Sequence, residues 1–306
     1  MTASSVVRAA TGVSRRAAIA MLIVVVLAWG FAWPVNKLIL QELSPLWTAG
    51  VRAALGTATL FAIMPLAGRL RLPRRHDLPV VLSISLLHMV GFTVLSGIGL
   101  QLVSTGRSVV LAYTTPLWIV PGAHLFLRER ITPGRALGAL MGLAGLGVLF
   151  NPLAFDWSDH VAVLGNLALL AAALCWATSI LHIRGHRWHA TTIDLLPWEL
   201  LVATVVLVPL ALAVDGWPTP HWSTGLVLLL LYGGIPGTAI AYWATAVASR
   251  GLPSVTMSLG LLVAPLISIT TATLALGESL SWPLLAAMVL IIGGVAAGAR
   301  DHATGR

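Results

Sequence analysis

Apolar residues in this chain come in long unbroken runs separated by short polar breaks. Ten runs stand out, at about 17–40, 44–68, 78–99, 102–127, 133–151, 161–184, 192–214, 224–248, 252–276 and 282–299. Most reach 18 residues, the length at which an apolar helix crosses the hydrocarbon of a bilayer. A bilayer supplies no water to the backbone, so each run must satisfy its own N–H and C=O groups, and helix is the predicted state. A membrane barrel would show alternating segments of about ten residues instead. The breaks carry turn chemistry, as in Arg69-Leu70-Arg71-Leu72-Pro73-Arg74-Arg75, Asn151-Pro152, Asp215-Gly216-Trp217-Pro218 and Gly251-Leu252-Pro253. None has room for a soluble domain. The pattern predicts an all-α integral membrane protein of ten transmembrane helices.

Composition and charge agree and add a direction. Of 306 residues 58% are hydrophobic and 9% charged, where a soluble domain carries about 25% charged residues. The net charge of +8 does not point to nucleic acid, because the basic residues sit between apolar runs and form no stripe on a polar domain. With a cytoplasmic N-terminus, fifteen of the eighteen Lys and Arg fall on the cytoplasmic side, from Arg8, Arg15 and Arg16 through Arg69–Arg75 and Arg128–Arg135 to Arg300 and Arg306. Only Lys37 and Arg107 fall outside, and Arg52 lies within a run. This asymmetry predicts both termini inside, in a bacterial inner (plasma) membrane. Trp47, Trp157, Trp217, Trp222 and Trp282 fall at the predicted outer boundaries, where amphipathic rings collect. The first run is too long for a signal peptide and is read as a retained span. The single Cys175 excludes an internal disulfide framework and a cysteine-rich metal site, and reads most simply as a small buried residue.

The chain also repeats itself. Ala112-Tyr113-Thr114-Thr115-Pro116 precedes Leu127-Arg128-Glu129, and Leu262-Val263-Ala264-Pro265 precedes Leu276-Gly277-Glu278. Pro116 to Pro265, Glu129 to Glu278 and Gly145 to Gly294 each span 149 positions. Two five-helix halves follow. Five is odd, so the second half enters the membrane from the opposite side, and the repeats are inverted around a central cavity. Inverted repeats are a common architecture of secondary transporters, with the binding site near the midplane. The predicted division is a cytoplasmic tail at 1–16, a first repeat at 17–151, an outer linker at 152–160, a second repeat at 161–299 and a cytoplasmic tail at 300–306.

On these residues the chain resembles the EamA-type drug/metabolite transporters. The opening Trp29-Gly30-Phe31-Ala32-Trp33-Pro34 is similar to theirs, and so is each half's Pro followed thirteen positions later by Glu. The likeness covers about 18–299. It implies ten helices, a central cavity, cytoplasmic termini, and export or exchange of small metabolites, often amino acids or related polar compounds. The first run lacks the central glutamate of the small four-helix drug exporters, so their drug/proton exchange is not implied.

Candidate residues follow from face and depth. Trp29, Trp33 and Asn36 recur at i, i+4 and i+7 and share one helix face, which suits either a cavity wall or helix packing. Trp176 and Ser179 share a face in the sixth run, and Trp176 lies 147 positions from Trp29. Arg52 needs the bundle or water around it. It can bind a substrate carboxylate, or pair structurally or snorkel. Glu199 can take a proton or a substrate amine, or sit in an interfacial ion pair. His88 suits a proton relay or a neutral hydrogen bond between helices. Tyr113, Tyr242 and Trp243 are further cavity candidates. Pro116 and Pro265 each remove a helix bond and mark a kink or a gate. Glu129 and Glu278 are expected to be structural, tying helix ends to neighbours. His182, His186 and His189 with Arg184 and Arg187 read as a basic loop and not a metal site. Gly233-Gly234-Ile235-Pro236-Gly237 lacks the Lys-Ser/Thr of a phosphate loop and reads as close helix packing.

No zinc-protease or nucleophile-elbow motif is present, so no enzyme and no cofactor are expected. The expected partners are a lipid bilayer and a small-molecule substrate, with protons as a candidate coupling ion and no nucleic acid. A non-transporting receptor or assembly scaffold is the alternative, disfavoured by the short loops.

Overall fold

The computed structural model describes residues 13–66, 68–151 and 156–301. Arg8, Pro152 and Arg306, used above, lie outside them, as do most of the two terminal tails. Every described element is a helix or a turn. The spans are α1 (Arg15–Ile39), α2 (Pro45–Leu66), α3 (Leu78–Leu102), α4 (Thr105–Leu127), α5 (Pro133–Leu149), α6 (His160–Gly185), α7 (Thr192–Asp215), α8 (Thr224–Gly251), α9 (Ser254–Leu276) and α10 (Trp282–Asp301). Among the described residues nine of these are long and apolar enough to cross a membrane, and α5 is shorter at 17 residues. Polar residues set the helix starts. Ser14, Ser104, Asp159, Thr191 and Ser223 each accept a backbone N–H from the first turn.

Many large apolar side chains face outward, among them Ile23, Leu66, Leu125, Phe126, Leu164 and Leu274. A soluble protein would not expose such a belt; hydrocarbon covers it. Trp157, Trp217, Trp222 and Trp282 are exposed at helix ends, as predicted for interfacial rings. Trp47 is not. It is buried, and its indole N–H donates to Gly216 O at 2.9 Å, so it ties α2 to the end of α7.

Two internal features depart from ten plain helices. α4 breaks at Tyr113–Thr114 into Thr105–Ala112 and Thr115–Leu127, and α9 breaks at Leu262 into Ser254–Leu261 and Val263–Leu276. Pro116 and Pro265 lie in the first turn of each second half, where a missing N–H costs nothing in the helix ladder. The prolines therefore start new helices and do not bend continuous ones. α3 and α8 each contain a wide-turn π-helical stretch, Ile84–Phe92 and Ile235–Ile240. Moved by the repeat offset, the second stretch falls on 86–91, inside the first.

The halves pack as inverted repeats. α2 lies on α7 and α5 on α10, α1 packs on α8 and α9, and α6 packs on α3 and α4. Each first helix of a repeat thus sits among helices of the other half. The α5–α10 contact is nearly backbone to backbone. A Cβ on Gly138 would lie 2.5 Å from Gly294 O, and one on Gly145 would lie 3.0 Å from Ala287 O. Gly145 corresponds to Gly294 and Gly138 to Ala287, so these are one contact made twice around a pseudo-two-fold axis. Arg128 and Gly277, also counterparts, both take left-handed conformations (φ 55° and 70°) that end their helices.

The arginine-rich loops gather at one face, called here the basic face. Arg69 pairs with Asp194 at 3.8 Å, and buried Asp77 accepts from His189 N at 2.8 Å and Ala190 N at 3.3 Å. Burial acts to raise the Asp77 pKa, but those backbone N–H groups hold it below its ordinary 3.8.

Candidate functional site

The π-helical stretch of α3 and the break in α4 bring side chains to the middle of the bundle. Two chambers meet there. The one toward the basic face is about 430 Å³, and the one toward the opposite face about 90 Å³. Five residues line both: Trp29, His88, Tyr113, Trp176 and Tyr242. They form an aromatic waist. The His88 ring stacks on Trp176 with centroids 5.1 Å apart and meets Tyr242 edge-on at 5.6 Å. Tyr242 meets Trp29 edge-on at 5.8 Å, and its hydroxyl lies 3.4 Å from His88 Nε2. Phe92, one turn from His88, closes on both His88 (5.5 Å) and Trp176 (5.1 Å).

Polar groups are sorted between the chambers. Trp33, Asn36 and Arg52 line the smaller one. Among the described residues Arg52 has no carboxylate partner in its hydrogen bonds. Its Nε donates to Gly233 O at 3.3 Å and its Nη2 to Thr238 Oγ1 at 3.2 Å, so it holds the start of the π-helical stretch in α8. Ser179 and Glu199 line the larger chamber. Both are buried, and Ser179 Oγ, Glu199 Oε1 and Asn36 Oδ1 have no hydrogen-bond partner among the described residues. Three such acceptors facing one cavity system are what a ligand bearing donors would satisfy.

Of the residues expected at a cavity, Trp29, Trp33, Asn36, Arg52, His88, Tyr113, Trp176, Ser179, Glu199 and Tyr242 line the chambers. Trp243 does not. It is about 100° around the helix from Tyr242 and packs into the apolar cluster of α2, α3, α7 and α8. Pro116 borders the larger chamber, and Pro265 is buried outside both. Phe92, Thr93 and Ser96 also line the smaller chamber; Phe92 and His88 at i, i+4 were a signal available in the sequence. Among the described residues no group of three His, Cys, Asp or Glu could hold a metal ion.

The two glutamates that close the repeats differ. Glu278 accepts from Thr105 N at 2.8 Å and Gly106 N at 3.2 Å, at the start of α4. Glu129 instead accepts from Arg184 and, at 3.0 Å, from Arg135. Burial acts against the Glu129 charge, but the Arg184 and Arg135 guanidiniums hold its pKa below the ordinary 4.5.

The model of the EamA-like transporter family matches residues 16–151 and again 163–297. The chain belongs to that family. A protein named uncharacterized transporter YoaV, of Bacillus subtilis (strain 168), is 25% identical over 90% of this chain and 94% of its own. The threonine/homoserine exporter RhtA of Salmonella typhimurium (strain SL1344) is 29% identical over 79% of this chain and 77% of its own. A solved crystal structure, described only as that of a protein, shares the fold with a TM-score of 0.66 at 24% identity, covering 94% of this chain and 99% of that one. This EamA-like protein is therefore a multi-pass membrane transporter and not an enzyme. Its surroundings are a lipid bilayer and its substrate is a small molecule.

Proposed function

We propose that this transporter exports or exchanges small amphipathic metabolites, amino acids or related compounds, across a bacterial inner membrane by alternating access. In this reading both termini and the larger chamber face the cytoplasm. The observation that carries it is the aromatic waist with polar groups on either side: Asn36 and Arg52 beyond it, Ser179 and Glu199 before it. A solute with an apolar middle and polar ends matches that order. The threonine/homoserine exporter among the relatives supports an amino-acid-like cargo, and the gathering of arginines on one face supports the orientation.

Glu199 is the coupling candidate. It is 2% exposed with Oε1 unpartnered. A buried carboxylate oxygen without a partner is costly, and a proton or a substrate ammonium would relieve that cost. The chamber wall thus has one group able to serve either as proton carrier or as amine site.

Proteoliposomes loaded with a metabolite panel test the reading. Efflux of at least one amphipathic compound is expected, slowed about tenfold or more by Trp176→Ala. No flux for any compound would overturn it. Glu199→Gln is expected to abolish the response to an imposed pH gradient, or to weaken amine-bearing cargo selectively. Unchanged pH response and selectivity would remove Glu199 from the mechanism.

A further inference from the structure

The inverted repeat predicts contacts in pairs, and one such pair is broken. At the face opposite the basic one, Glu278 accepts the backbone N–H groups of Thr105 and Gly106. Both residues are buried there, and Thr105–Ala112 packs against Val263–Leu276. The repeat offset carries Glu278 to Glu129, and Thr105 and Gly106 to Ser254 and Val255. At the basic face the counterpart contact is missing. Ser254 is exposed and Val255 half-buried, and Pro253 ahead of them makes no capping bond. Thr115–Leu127 and Ser254–Leu261 make at most marginal contact with one another, and the larger chamber lies between them, lined by Pro116 and Ile119 on one side and Ser258 and Leu261 on the other.

Glu129 is held elsewhere, by Arg184 and Arg135. Arg184 has its own counterpart 147 positions earlier, Lys37. That ammonium donates to Leu100 O at 2.6 Å and Val103 O at 2.9 Å and lies within electrostatic reach of Glu278. Each face therefore carries the same three parts: a glutamate at the end of one broken helix, the N-terminus of the other broken helix, and a cation. Only the pairing differs.

We infer that Glu129 and Glu278 are alternating latches of the transport cycle. In the state seen here Glu278 clasps the start of α4 and closes one face, while Glu129 rests on Arg184 and Arg135 and leaves the basic face open. In the opposite state Glu129 leaves the arginines for the N–H groups of Ser254 and Val255, and Glu278 releases Thr105 and Gly106 and turns to Lys37. The chemistry suits the task. A helix N-terminus presents free N–H groups and the positive end of the helix dipole, so a carboxylate binds it through charge-assisted bonds. A cation waiting at each open face keeps the free carboxylate paired. Like chemistry at both faces keeps the two states close in energy, which cycling requires.

The inference rests on alternating access, and its test reads the conformational equilibrium without substrate. In the full-length chain with Cys175→Ala, single cysteines are introduced as Ser96→Cys in the smaller chamber or Ser258→Cys in the larger. Maleimide labelling rates are measured in nanodiscs, where both faces are reachable. Glu278→Gln is expected to raise labelling at position 96 relative to 258 by about tenfold. Glu129→Gln is expected to lower that ratio, and Arg184→Met, which removes one of the two guanidiniums holding Glu129 on its open-face partners, to raise it. A purely structural role would move both glutamine variants the same way or neither, and that result overturns the latch. Should Glu278→Gln fail to fold, Glu129→Gln and Arg184→Met must still move the ratio in opposite directions. Flux in the same preparations separates the two readings. Opposite shifts without flux uphold the latch against the transport reading; flux without opposite shifts overturns the latch alone.

Discussion

Thr57 and Thr204 lie 147 positions apart in the chain, and their hydroxyl oxygens lie 3.0 Å apart in space. They are close to the repeat offset and touch each other, so they mark where the pseudo-two-fold axis passes between α2 and α7. Thr204 Oγ1 donates its one proton to Leu200 O at 2.8 Å, so Thr57 is the donor across the axis. Thr57→Val is expected to destabilise the protein by about 1 kcal/mol, and Thr57→Val with Thr204→Val by less than the sum of the single changes. Thermal unfolding in detergent over the double-mutant cycle measures this. Strict additivity would mean the bond contributes nothing to holding the halves together.

The α5–α10 contact gives a sharper contrast. A Cβ on Gly138 meets backbone, Gly294 O at 2.5 Å, which no side-chain rotation can relieve. Gly147, on the same helix, is exposed and has open space around its Cβ position. Gly138→Ala is expected to destabilise by about 1–3 kcal/mol as the helices are pushed apart. Gly147→Ala is expected to be neutral or to stabilise by up to about 1 kcal/mol through helix propensity. Melting temperatures of the two variants in one detergent decide the matter.

Much of this architecture is legible in the sequence because bilayer thickness fixes helix length. The apolar run at 192–214 predicts a span that the structure places at Thr192–Asp215. The equal spacing of Pro116 to Pro265 and Glu129 to Glu278 carries the two-fold relation in the sequence itself. Other features left no trace in hydropathy. The break at Tyr113–Thr114 lies in a continuous apolar run, and hydropathy reports burial, not backbone hydrogen bonding. The π-helical stretch around His88 contains no proline to announce it. Tyr242 and Trp243 are adjacent aromatics, and only the helix phase tells which one enters the cavity. The different pairing of Glu129 and Glu278 belongs to a conformational state, which two matching motifs cannot encode.

Asp77 gives a pH dependence. Its folded-state pKa is depressed by the His189 and Ala190 N–H groups. The unfolded chain therefore binds its proton more readily, and stability rises with pH through this window. The Asp77 contribution is complete above the ordinary 3.8 and is lost as pH falls through the lower folded value. Asp77→Asn is expected to cost about 1–3 kcal/mol at neutral pH, with the gap to the parent closing as pH falls below the ordinary 3.8 and through the lower folded value. Paired thermal melts across that range measure it; a gap that widens in acid would contradict the sign.

Arg52 offers the most direct probe of cargo chemistry. Its guanidinium has five N–H donors. Two are spent on Gly233 O and Thr238 Oγ1, and the side chain also lines the smaller chamber. Arg52→Lys keeps the charge but loses the planar fork, so it cannot hold α8 and meet a carboxylate together. Transport of a carboxylate-bearing cargo is expected to lose about tenfold in affinity, and a neutral analogue such as the corresponding amide to change little. Arg52→Met removes the charge as well and is expected to weaken both cargoes, because the start of the π-helical stretch in α8 loses its clamp. Concentration-dependent uptake of an acid and amide pair by the two variants separates the roles. If Arg52→Lys weakens the acid and the amide equally, Arg52 acts only on α8 and the carboxylate is recognised elsewhere.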